Sequence, residues 1–171
     1  EDDCGNFHSP IVPVYVRHPN EPEKTVRTYA LLDNQSNACF ITDSLADKFE
    51  MTKEAVSLNL TTMTEKKTVR SNIIHGLIVQ GTGEDVEINL PGVYTRDNIP
   101  ADKSLIPRAE ALRDWPHLDK VKKELQPYNH KDEIGLLLGF NCSAALLPRE
   151  VITSGDNDPY AVRTILGWSI V

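Results

Sequence analysis

Asp33 closes an apolar run, Tyr29-Ala30-Leu31-Leu32, and is followed by Asn34, Gln35 and Ser36. A carboxylate at the end of a buried strand carries a raised cost of ionisation, which suits it to general acid–base chemistry. The plainer reading is a turn cap, with Asn34 and Ser36 hydrogen-bonding local backbone. Residue chemistry alone leaves the two balanced.

Other reactive groups offer less. The five histidines, His8, His18, His75, His117 and His130, lack the close spacing of a zinc site, so no metal and no cofactor is expected. Cys4, Cys39 and Cys142 are odd in number and form no CxxC, which argues against a disulfide framework. Cys39 and Cys142 lie among apolar residues and read as buried thiols. His75 would be the base of a serine or cysteine hydrolase built on Ser36 or Cys39. That third reading lacks a nucleophile elbow or an oxyanion loop.

The elements that would position Asp33 follow from local pattern. Ile11 to Val16 alternates as a strand, with Pro13 placing it near a sheet edge. A turn at His18–Lys24 leads to a second strand, Thr25 to Leu32, that ends on Asp33. Cys39-Phe40-Ile41 is a short buried strand, and Thr42-Asp43-Ser44 offers caps for a two-turn helix over Leu45–Phe49. Val56–Leu60 and Lys67–Ile74 flank a polar turn and read as a long hairpin. Further β pattern covers Leu77–Gln80, Val86–Leu90 and Gly92–Tyr94. Leu112, Trp115, Leu118, Val121 and Leu125 then recur at helical spacing, with Pro116 in the first turn. Gly135–Gly139 is a fully apolar strand, a short helix is expected near 143–148, and Arg163–Val171 reads as a final strand.

At these residues the chain resembles the retropepsin-like domain of BEL/Pao retrotransposon polyproteins. Three pieces carry the resemblance in order: Ala30-Leu31-Leu32-Asp33-Asn34-Gln35-Ser36-Asn37, Gly135-Leu136-Leu137-Leu138-Gly139-Phe140-Asn141, and the closing Thr164-Ile165-Leu166-Gly167-Trp168. It spans about Ile11 to Val171. The resemblance implies a mainly β fold: a retropepsin-like acid-protease β-barrel with a helical insertion near 104–126 and short helices after the catalytic loop and near 143–148. Residues 1–10 would be a linker tail and 11–171 the domain.

The implied activity is an aspartic endopeptidase of a polyprotein, with Asp33 catalytic and Asn34, Gln35 and Ser36 supporting its loop. Thr62, Met63, Thr64 and Glu65 would form a flap over the substrate. No second Asp follows a comparable motif. Asp43 reads as a helix cap, Asp132 precedes a strand without the motif, and Asp156 and Asp158 lie in a polar loop. The resemblance therefore implies a homodimer that pairs Asp33 with its symmetry mate. The sequence departs from the family pattern at three places. Asn34 and Gln35 replace Thr/Ser and Gly, and Phe140 stands where many retropepsins carry Arg. The alternative is a retropepsin-fold module without catalysis that dimerises or binds peptide.

Composition bounds these readings. A chain of 171 residues, 40% hydrophobic and 25% charged, can bury a core without disulfides. A net charge of −7 with no basic cluster argues against nucleic acid as a partner. No apolar run approaches the ~18 residues of a membrane span, so a membrane partner is not expected. A start without Met or a signal peptide suggests a fragment of an intracellular polyprotein, with a cytoplasmic location.

Overall fold

The computed structural model describes residues 8–61 and 63–171. Two β-sheets organise them. Strands β1 (Ile11–Arg17) and β2 (Val26–Leu32) pair as an antiparallel hairpin, with Val14 opposite Thr28. They continue through β3 (Cys39–Thr42), the long hairpin β4 (Glu54–Thr61) and β5 (Lys66–Ile74), then β6 (Ile78–Gly81), β7 (Glu87–Asn89), β8 (Val93–Arg96) and β9 (Ile134–Leu138). These nine strands form one mixed sheet in the order β4-β5-β8-β3-β9-β2-β1-β6-β7. A second, antiparallel sheet joins β10 (Glu150–Ile152), β11 (Ala161–Thr164) and β12 (Gly167–Ile170).

The fold is mainly β, as expected, but the expected closed barrel is not what forms. The large sheet is open, because β4 and β7 end it and do not pair with each other. Three further expectations need correction. Pro13 does not mark an edge, since β1 runs between β2 and β6. The β1–β6 register begins only at Val14 opposite Gly81, and beyond it Pro13 serves as acceptor, its carbonyl taking the Thr82 N–H at 3.4 Å. The helix after β3 is one turn, α1 (Asp43–Ala46), capped by Thr42, whose hydroxyl accepts from the Leu45 N–H. The closing segment is a hairpin rather than one strand: Gly167, at φ 116°, turns the chain between β11 and β12.

The insertion near 104–126 is helical in short pieces. Single 3-10 turns at Lys103–Leu105, Ala109–Leu112 and Pro116–Leu118 precede α2 (Asp119–Glu124). Its apolar stripe packs on its own chain: Leu112, Leu118 and Val121 join Ala161, Trp168 and Ile170 in one buried cluster. The main core lies on one face of the nine-stranded sheet and gathers Val12, Val14, Ala30, Ile41, Leu45, Val79, Leu136 and Leu138. A 3-10 turn, Phe140–Cys142, and α3 (Ser143–Leu146) follow β9. The described part of the N-terminal tail is tied down, with Ser9 donating to the Leu105 carbonyl at 3.1 Å. Cys4 lies outside the described residues, and Cys39 and Cys142 are buried free thiols.

Candidate active site

The sheet order decides the shape of the Asp33 loop. β9 lies between β2 and β3, parallel to the first and antiparallel to the second. The chain from Asp33 to Ala38 must therefore cross over the end of β9, where Gly139 sits. A Cβ on Gly139 would stand 2.4 Å from the Ala38 carbonyl oxygen and 2.6 Å from that of Ser36, so only glycine leaves room for the crossing. The fully apolar strand read at Gly135–Gly139 thus backs the loop.

Hydrogen bonds then fix the loop. The Asp33 N–H donates to the Leu138 carbonyl at 3.0 Å, extending the β2–β9 pairing by one residue. The Asp33 carbonyl accepts from Ser36 N–H at 3.3 Å, which closes a tight turn. Asp33 Oδ1 accepts from the Gln35 N–H at 2.9 Å, so one carboxylate oxygen is held in place. The Ser36 hydroxyl donates to the Ala38 carbonyl at 2.8 Å, and the Ser36 carbonyl accepts from Phe140 N–H at 2.8 Å. Asp33 is half-buried, while Asn34 and Gln35 are exposed.

These bonds match the turn-cap reading in part. Asp33 does cap a turn, and Ser36 bonds local backbone, but the Asn34 side chain takes no part. Among the described residues, Asp33 Oδ2 and the side-chain amides of Asn34 and Gln35 make no hydrogen bond. Gln35 sits at negative φ, since the only positive values among the described residues belong to Gly76 and Gly167. This loop does not require a glycine at that position.

The β4–β5 hairpin stands where the flap was expected, with Thr61 opposite Lys66. Met63, Thr64 and Glu65 form its exposed tip, and Thr62 lies outside the described residues. The residues brought near the Asp33 loop come from the hairpin's shaft. A groove of about 420 Å³ is lined by Asn37 and Ala38 of the loop together with Phe40, Leu58, Leu60, Ile73 and Tyr94. Neither Asp33 nor the tip lines it. Sequence reasoning passed over these shaft residues, although the alternation of Val56, Leu58 and Leu60 was the signal that one face of β4 packs inward.

The remaining candidates separate from Asp33. Asp43 opens α1, and burial, followed by its hydrogen bond with Asp97, pushes its carboxyl upward. Asp132 pairs with Arg27, and Asp158 accepts from the Gly155 N–H. His75 is exposed on the groove wall and its ring bonds neither Ser36 nor Cys39 among the described residues. No group of three or more His, Cys, Asp or Glu side chains among the described residues could hold a metal ion. No helix among them is long and apolar enough to cross a membrane. No family model, curated protein or solved structure matches this chain.

Proposed function

We propose that the chain is one half of an aspartic endopeptidase, acting on an extended peptide such as its own polyprotein. The observation that carries this reading is the Asp33 carboxylate itself. It stands at the end of a strand with Oδ1 anchored by Gln35 N–H and Oδ2 free, over a glycine that admits no side chain. A single carboxylate so held is half of a working pair. In a twofold dimer, Asp33 and its mate cannot both ionise at contact distance and share one proton. The ionised member takes a proton from water while the protonated one polarises the scissile carbonyl. The adjoining groove between the loop and β4 supplies a seat for a substrate side chain, and the hairpin tip would close over the peptide.

Cleavage of a peptide library or precursor at mildly acidic pH tests this, with Asp33→Asn as the control. Loss of cleavage in the variant is expected; cleavage at the unchanged rate overturns the reading. One observation favours a second reading, a dimerising or peptide-binding module without catalysis. The exposed amides of Asn34 and Gln35 stand at the tip of the loop and must be accommodated wherever two loops meet. A stable dimer that binds peptide and never cleaves would decide for that module.

A further inference from the structure

Two cysteines meet beneath the Asp33 loop. Cys39 opens β3 directly after the loop, and Cys142 closes the 3-10 turn that follows Gly139. β3 and β9 are antiparallel with Phe40 opposite Leu137, so Cys39 sits beside the end of β9 that leads into this turn. The turn curls back on itself, the Cys142 N–H donating to the Gly139 carbonyl at 2.9 Å. Both side chains enter the main core, where Cys39 is fully buried and Cys142 is 5% exposed. There the two thiols are in contact through a side-chain hydrogen bond. The Cys39 thiol has Asn141 Oδ1 as a second acceptor, at 3.3 Å.

Thiols already in contact need little backbone movement to become a disulfide. Asn141 lines the groove beside the loop together with Ala38 and Phe40, the residues on either side of Cys39, so a small neutral oxidant in the groove is one side chain away from the pair. The two sulfurs are not equivalent. The hydrogen bond from Cys39 favours the Cys142 thiolate and brings its pKa down to about 7 against the effect of burial, while the same contact and burial keep the Cys39 thiol protonated. We propose that Cys39 and Cys142 form a peroxide-sensitive dithiol whose disulfide clamps the Asp33 loop to the end of β9. The Cys142 thiolate attacks one oxygen of the peroxide, the O–O bond breaks, and the leaving hydroxide takes up a proton, which leaves a sulfenic acid. Cys39 then attacks the Cys142 sulfur, the S–O bond breaks, and the departing hydroxide takes the Cys39 proton. Two thiols and one peroxide give one disulfide and two waters. The new bond joins the residue after Ala38 to the turn after Gly139, on either side of the closest approach between loop and strand. The proposal does not depend on whether the chain cleaves peptides.

The test uses the whole chain with Cys4→Ser, so that only the pair can react, treated with hydrogen peroxide and mapped by mass spectrometry without reduction. One bond linking Cys39 to Cys142 is expected, reversed by dithiothreitol. The oxidised protein should melt roughly 5–15 °C above the reduced one, as closing so long a loop predicts. Amide exchange at residues 33–40 should slow. Cys39→Ala is expected to halt the reaction at a Cys142 sulfenic acid that dimedone traps, and Cys142→Ala to leave Cys39 unoxidised. Thiols that both survive peroxide in the folded protein, or a bond that forms only in urea, overturn the proposal. A disulfide that changes neither melting nor exchange does the same, because the clamp is then absent. These deciding results come from the unsubstituted pair, so a variant that fails to fold does not remove the test.

Discussion

Gly139 lies so close beneath Ala38 that a Cβ on it would stand 2.4 Å from the Ala38 carbonyl oxygen. The oxygen belongs to backbone that has already crossed from β2 towards β3, and it cannot move without moving the Asp33 turn. Gly139→Ala is therefore expected to destabilise the fold by about 1–3 kcal/mol, the usual cost of forcing atoms into a filled site. Urea denaturation checks this. A variant with an unchanged midpoint would show that the loop yields freely.

Two substitutions at Asp33 should differ in stability. Asparagine keeps an Oδ1 that accepts the Gln35 N–H, so Asp33→Asn preserves the turn. Asp33→Ala removes the acceptor and should cost about 1 kcal/mol more, as a lost capping interaction does. Thermal melts of the two proteins side by side provide the comparison. Equal melting temperatures would mean that the bond contributes nothing to the fold.

Glu84 gives stability a dependence on pH. Burial pushes its carboxyl above the ordinary glutamate value; Glu124 and Asp85 add to the shift, and Arg163 opposes it. A carboxyl whose folded pKa is raised costs nothing while it is protonated in both states. The penalty appears as pH rises through the unfolded and then the folded value. Glu84→Gln should therefore leave stability unchanged in acid and raise it slightly at neutral pH, within about 0.5 kcal/mol for so accessible a group. Melting curves at both pH values test the sign. A gain confined to acid would contradict it.

Much of this architecture was legible in the sequence because single strands announce themselves. The alternation in Ile11–Val16, the apolar run Gly135–Leu138 and the hairpin around Met63 all fall within a residue or two of their observed places. The apolar stripe from Leu112 to Leu125 was readable from its helical spacing, and it packs on β11 and β12. The pairing of strands was not legible. Nothing in Leu31-Leu32 specifies that Leu137-Leu138 will lie beside it in parallel, so the open edge at β4 escaped notice. Pro13 misled for the same reason, since its effect depends on where a neighbouring ladder begins. Asp33 was identifiable from its own neighbours, whereas the groove beside it is walled by Leu58, Ile73 and Tyr94 from three separate strands.

The crossing of the Asp33 loop over β9 also sets an order of events. Thr28 bonds the Glu133 carbonyl across 105 positions of chain, and the parallel pairing of β2 with β9 begins there. Contacts of such long sequence separation form slowly, because the intervening chain loses its freedom before the pairing rewards it. During synthesis, β2 and the Asp33 turn emerge well before the strand that completes them. The backing that β9 gives to the Asp33 turn therefore forms only after about a hundred further residues have been made.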